Sequence, residues 1–258
     1  MITDDFDYLA PGGRSYTLAS GRLSGIKKNS RVLEIACGRG AAACALAEAY
    51  KCRVDAFDID PVMVEHSMET SNKLGFGEFT NFFVKDGRDM DFGEGKYDLV
   101  LAEGGALTYI GREEGIARAA DLLKEGKCLA LTDLIYLRDD VPQPVRDAYE
   151  EGVYTYLTEI RYRKLLEAYD FEVVFASMLP QSAWDRYYAQ MRRQVMNPKN
   201  RFTKDFKDSM MREIDVYYNY GGMFSVGYFY AVARLSRNKR VKPAGEGLRI
   251  PLAFSYGH

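Results

Sequence analysis

Arg31-Val32-Leu33-Glu34-Ile35-Ala36-Cys37-Gly38-Arg39-Gly40, continuing into Ala41-Ala42-Ala43-Cys44-Ala45-Leu46-Ala47, decides the fold of this chain. The short apolar run reads as a buried strand. The glycines read as a tight turn, and the alanine run as a helix over Ala41–Tyr50. Gly38 suits a positive φ, and Gly40 is expected to let a ligand approach the backbone. The first turn of the helix leaves its N–H groups without helical partners. A strand, a glycine turn and a helix in immediate succession open a doubly wound α/β domain.

Working outward, the alternation continues. Val54–Asp58 reads as a second strand, and Pro61–Leu74 as a helix with Pro61 in its first turn and Asp60 as its N-cap. Phe79–Lys85 and Tyr97–Glu103 read as strands three and four. Arg112–Lys124 reads as a helix stopped by Gly126, and Cys128–Tyr136 as strand five. The pattern then changes. Residues 142–169 read as helical, with Thr158 capping a second helix. Phe171–Leu179 reads as a strand, 181–220 as a polar and aromatic stretch of helical character, and Val226–Leu235 as the last strand. The expectation is an α/β, Rossmann-like, doubly wound seven-stranded sheet, mostly parallel with an antiparallel last strand, the two late strands making an antiparallel edge. A helical N-terminal lid spans 1–29. The cofactor-binding core spans 30–179 and 223–235, a helical cap is inserted at 180–222 before the last strand, and a tail follows at 236–258.

Bulk properties narrow the function. The 258 residues fit a single domain, and a net charge of −2 gives no bulk attraction to nucleic acid or anionic membrane. No apolar run is long enough to span a bilayer, and Met1–Asp7 lacks the basic and apolar regions of a signal peptide. Cys37, Cys44, Cys52 and Cys128 form no Cys-x-x-Cys pair, so they read as buried small hydrophobes of a reducing cytoplasm, with no metal site expected. A homodimer is compatible with all of this.

The turn alone fits two cofactors. Gly38-x-Gly40-x-x-Ala43 satisfies a dinucleotide fingerprint, and Asp58 stands where a carboxylate can accept both ribose hydroxyls. Three features favour S-adenosylmethionine (SAM) over NAD. Glu34, four residues before Gly38, suits the ammonium and sulfonium of SAM and would repel a pyrophosphate. Asp86-Gly87-Arg88 places a carboxylate after strand three, where it can accept from the adenine amine. The antiparallel close of the sheet is unlike an NAD domain. Asp86 also reads as a plain turn residue.

Val32 to Gly40 resembles the first motif of class I SAM-dependent methyltransferases. Asp58-Ile59-Asp60-Pro61, Lys85-Asp86-Gly87 and Leu122-Leu123-Lys124-Glu125-Gly126-Lys127 are similar to the motifs after strand two, after strand three and before strand five. The resemblance covers about residues 10–235. It is to the small-molecule branch, similar to the ubiquinone- and menaquinone-pathway enzymes, and within that to a bacterial and archaeal subgroup marked by Pro11-Gly12-Gly13, by Ala102 to Ala106 with Tyr109-Ile110-Gly111, and by Leu179-Pro180 with Trp184. It implies a cofactor site of Glu34, Ala36, Gly38, Gly40, Asp58, Ile59, Asp86, Gly87, Arg88 and Glu103, with S-adenosylhomocysteine (SAH) as the product. The chain departs from the pattern at Ala36, Lys127 and Asp170, each standing where the family usually has glycine.

SAM already carries an activated methyl group, so the protein must mainly align a nucleophile and exclude water. A base is needed only for a protonated nucleophile. His66 falls on an exposed helix face and His258 in the tail, so neither suits that work. Glu103, at the end of strand four, and Tyr109, on the following loop, are the catalytic candidates, with Asp133 a weaker one. The Asn/Asp-Pro-Pro-Tyr tetrapeptide of exocyclic-amine methyltransferases is absent after strand four. The tyrosine-rich second half could wall an acceptor pocket, with Tyr109, Trp184 and Tyr188 its expected lining. Arg186, Arg192, Arg193, Lys199, Arg201, Lys204 and Lys207 interleave with acidic residues and read as a solvated face. The leading expectation is methyl transfer to a small molecule. RNA methylation through the basic insert, a SAM-binding sensor without catalysis and an NAD oxidoreductase are the alternatives.

Overall fold

The computed structural model describes residues 8–150, 155–200 and 202–237. Arg201, His258 and the tail beyond Arg237 lie outside them. Seven strands form one sheet: β1 (Arg31–Ile35), β2 (Arg53–Asp58), β3 (Thr80–Val84), β4 (Tyr97–Ala102), β5 (Leu123–Tyr136), β6 (Phe171–Met178) and β7 (Val226–Leu235). Their spatial order is β3-β2-β1-β4-β5-β7-β6. The β1–β2, β1–β4, β2–β3 and β4–β5 pairs are parallel, and β7 runs antiparallel to both β5 and β6.

The helices divide between the two faces. On one face lie α1 (Arg14–Leu23), α2 (Ala41–Tyr50), α6 (Gln143–Tyr149), α8 (Gln181–Met196) and α9 (Lys204–Asn219). On the other lie α4 (Ala106–Ile110), α5 (Arg112–Leu122) and α7 (Glu159–Ala168). Alternate residues of each strand feed the two cores. Val32, Leu99, Leu101 and Tyr230 point to the first, and Leu33, Val100, Phe229 and Ala231 to the second. Seven consecutive residues of α2, Ala41–Ala47, are buried, and five of them are alanines, which lets the helix axis lie close to the sheet. The helix α3 (Pro61–Leu74) starts at Asp60, whose side chain accepts from the Val62 N–H, and stops at Gly75 with φ 80°.

The two late strands form the expected antiparallel edge, β7 lying between β5 and β6. Three expectations need correction. Helix α5 ends at Leu122, before Gly126; Gly126, at φ 74°, instead sits in the irregular start of β5, where pairing with β4 shifts. Residues 106–110 form a helix that the sequence did not suggest, launched by Gly105 at φ 79°. Thr158 occupies an N-cap position but its side chain makes no capping bond. Asp170 takes φ 65°, so the aspartate does carry the left-handed turn before β6.

Candidate functional site

The glycine loop after β1 is bound to its neighbours through Asp58. One Asp58 carboxylate oxygen accepts from the Gly38 N–H at 2.8 Å and the other from the Asp60 N–H at 3.0 Å. The Ser67 hydroxyl donates to the Gly38 carbonyl at 2.9 Å, joining the loop to α3. A carboxylate offers about four acceptor positions, so Asp58 keeps capacity for ligand hydroxyls. Gly38 and Gly40 take φ 51° and 76°. A Cβ on Gly40 would meet Ser67 at 2.8 Å and Phe82 at 3.1 Å, so its lack of a side chain serves helix packing, where ligand approach was expected. Ala36 also takes a positive φ, of 54°, in place of the family's glycine, which stores strain of about 1 kcal/mol beside the cleft.

Two carboxylates face the same space from adjacent strands. Glu34 on β1 pairs in register with Leu101 on β4, and Glu103 stands two residues beyond Leu101 on the same face. Glu34 is buried, and its Oε2 has no partner. Glu103 is partly buried. Its Oε2 accepts from the Thr17 hydroxyl of α1 at 2.8 Å, while Oε1 is enclosed without a partner. Burial pushes the Glu103 carboxyl up to about 7, with the Thr17 bond opposing. Burial, then the charge of Glu103, pushes the Glu34 carboxyl well up. Thr17 is a site residue with no signal in the sequence, since it lies 86 positions from the residue it holds.

Asp86 behaves as a turn residue. It accepts from the Arg88 backbone N–H at 2.9 Å and from the Arg88 guanidinium at 2.6 to 3.2 Å. Those bonds lower its carboxyl to about 2.

Glu34, Ala36, Gly38, Asp58, Asp86 and Glu103 line a cleft of about 590 Å³, with Ile59, Gly87, Arg88 and Tyr109 on its walls; Gly40 stands outside it. A second chamber, of about 450 Å³, adjoins it; Leu9, Ala10, Pro11, Arg39, Gly104 and Tyr109 line both. The N-terminal segment closes over this junction. Leu9 lies 3.3 Å from where a Gly38 Cβ would stand, and Ala10 lies 3.1 Å from that of Gly104. Gln190 of α8 holds the segment by donating to the Tyr8 carbonyl at 3.3 Å. Tyr109 is 66% exposed at the junction, whereas Glu103 lines the first cleft only.

Eight aromatic residues are among those that line the chamber. Trp184 stacks on Tyr217 with centroids 4.8 Å apart and meets Tyr228 edge-on at 5.5 Å. Tyr188 does not line the chamber. It sits behind Trp184, its hydroxyl bonded to Tyr149 at 2.7 Å and donating to Glu213 at 2.8 Å, and so braces two residues that do. Asp133 is saturated, accepting from Thr108 at 2.7 Å, Tyr162 at 2.9 Å and Arg112 at 3.1 Å. His66 is exposed on α3, and all four cysteines are buried and free. Among the described residues no group of His, Cys, Asp or Glu could hold a metal, and no helix is long and apolar enough to cross a membrane.

A glycine loop after β1, carboxylates after β2, β3 and β4, and one strand inserted antiparallel between β5 and β6 define a nucleoside-cofactor enzyme of the Rossmann-like class. Residues 32–126 match a family described as a methyltransferase domain, which supports reading the chain as a SAM-dependent methyltransferase. It is 24% identical over 240 residues to a sarcosine/dimethylglycine N-methyltransferase of Halorhodospira halochloris, covering 89% of this chain and 85% of that one. It is 28% identical over 138 residues to the aklanonic acid methyltransferase DauC of Streptomyces, covering 53% of this chain and 60% of the relative. In fold it is similar to the phosphoethanolamine N-methyltransferase 2 of Haemonchus contortus in complex with SAM, with a TM-score of 0.74 at 16% identity, covering 90% of this chain and 55% of that one.

The residues present fit SAM. A cleft lined by two carboxylates, each with a buried oxygen that has no protein partner, calls for a cationic ligand, since an unpaired buried acceptor is otherwise costly. A pyrophosphate would meet the same two carboxylates with repulsion.

Proposed function

We propose that this chain transfers a methyl group from SAM to a small-molecule acceptor held in the ring-walled chamber. The observation that carries the reading is the pair Glu34 and Glu103, each with an enclosed carboxylate oxygen turned on one cleft. In this reading Glu34 and Glu103 counter the ammonium and sulfonium charges. Asp58 takes the ribose hydroxyls, and Ala36, Gly38 and Ile59 form the cradle. Asp86, Gly87 and Arg88 border the adenine. Bound there, SAM supplies a methyl group on a positive sulfur that leaves as a neutral thioether.

The remaining catalytic work falls to placement and dryness. Leu9, Ala10 and Pro11 cover the junction through which the methyl must pass, and Tyr109, lining both spaces, orients the acceptor toward it. Glu103 is walled off from the acceptor chamber, which favours a cofactor role over that of a general base. The chain acts in the cytoplasm on soluble acceptors, as a monomer or a homodimer. Its basic residues on α8 and α9 belong to a solvated face, where Lys204 pairs with Asp208.

Calorimetry with SAM, SAH and NAD tests the donor. SAM is expected to bind and NAD to be ignored; no SAM binding at high micromolar concentration would overturn the reading. An RNA acceptor would show binding that falls steeply with salt.

A further inference from the structure

The chamber's own chemistry narrows the acceptor, given the reading above that this is the acceptor side. Its volume of about 450 Å³ has room for about 15 water-sized groups at ~30 Å³ each. A three-carbon amino acid would leave most of it unfilled. Trp184 and Gln194 both line it from α8, and their separation of ten positions spans about 15 Å of helix. An occupant touching both is therefore elongated.

Polarity then separates the classes. The two carboxylates of the chamber are already engaged by the protein: Asp133 by Arg112, Thr108 and Tyr162, and Glu213 by Tyr188. Two of the rings that could cradle an ammonium each have one face covered. Tyr217 stacks on Trp184, and the Arg112 guanidinium lies 5.5 Å over Tyr156. By contrast, the side chain of Gln194 is 92% buried and its Nε2 has no partner. An amide N–H pair left dry is costly unless the ligand brings an acceptor atom to it. Gln194 stands one turn beyond Gln190, the residue that holds the N-terminal segment, so this unmet donor lies toward the junction with the cofactor cleft.

We propose that the chamber takes a neutral, elongated, ring-bearing acceptor that presents a carbonyl-type oxygen to Gln194 Nε2 at its end nearest the cofactor cleft. Gln194 is then the specificity-determining residue, and compact amines are poor acceptors.

The test uses the full chain saturated with SAH and a matched pair of probes, 4-acetylbiphenyl and 1-(biphenyl-4-yl)ethylamine, with sarcosine as a third ligand. Trp184 is the chain's single tryptophan, so its emission reports entry into this chamber. The ketone is expected to bind about tenfold more tightly than the amine by calorimetry and to shift the Trp184 emission. Gln194→Leu should remove that preference while SAH affinity stays unchanged, which also certifies the fold; Gln194→Met, of similar volume, should do the same. Tighter binding of the amine or of sarcosine, ketone binding with silent Trp184, an unaltered preference in both variants, or no ketone binding at all would each overturn the assignment. Failure of SAH and SAM to bind would instead overturn the donor reading.

Discussion

The cofactor cleft and the acceptor chamber adjoin, yet they are built in opposite ways. The cleft is made of backbone turns at the ends of β1, β2, β3 and β4, each a short run of neighbouring residues. Two of its charged groups, Glu34 and Glu103, each keep one carboxylate oxygen without a partner. The chamber is made of side chains drawn from residue 9 to residue 228, a third of them aromatic, with Asp133 ion-paired to Arg112 and Glu213 bonded to Tyr188 inside the wall. A donor that is the same molecule in many enzymes can be met by a local motif. An acceptor particular to one enzyme is met by whichever side chains the cap brings together.

Asp58→Ala should break the cleft most deeply. Two charge-assisted bonds to ribose hydroxyls are worth about 3 kcal/mol together, so SAM affinity should fall at least about 100-fold. Ketone binding in the chamber should change little. Calorimetry checks the first, a thermal melt checks folding, and an unaltered SAM affinity would remove Asp58 from the ribose site.

Glu103 sharpens the contrast through pH. Its carboxyl is raised from 4.5 to about 7, so the empty cleft holds a proton below neutrality that a cationic ligand must expel. Through this group SAM affinity should therefore rise about tenfold from pH 6 to pH 8. Glu103→Gln should flatten that profile, and a slope that survives would assign the proton elsewhere. The same raised value means that stability contributed by this group is full below about 4.5 and is lost as pH rises through about 7. The ligand-free melting temperature should fall over that window in the wild type and less so in the variant.

Tyr188→Phe tests the chamber from behind its wall. Losing the bonds to Tyr149 and Glu213 should cost about 1 kcal/mol of stability by denaturant titration. It should raise the acceptor KM without moving SAM affinity; a change in SAM affinity alone would contradict a bracing role. The smallest effect is expected at Ala36→Gly, which relieves a positive φ of 54°. The relief of strain outweighs the added freedom of the unfolded chain, giving a gain of up to about 1 kcal/mol, read as a higher melting temperature.

Much of the cleft was legible because its signals are local. Gly38, Gly40, Asp58 and Asp60 each act within a few residues of a strand end. Glu34 betrays itself as a charge inside an apolar strand. What misled was also physical. Gly40 looked like a ligand contact but is small because Ser67 and Phe82 stand where its Cβ would go. Trp184 and Tyr188, one turn apart, looked like two equal walls, but the packing of Tyr217 and Glu213 places one at the surface of the chamber and the other behind it.

By itself the sequence determined the alternating sheet, the loop after β1 and its charged neighbours, because strand periodicity, turn chemistry and capping act over short stretches of chain. Only the tertiary structure decided that β7 enters between β5 and β6, that Thr17 seals one oxygen of Glu103, and that Gln194 is left with an unmet donor beside an aromatic wall. Those outcomes depend on which distant side chains meet after the backbone has closed, and no local pattern of residues encodes such a meeting.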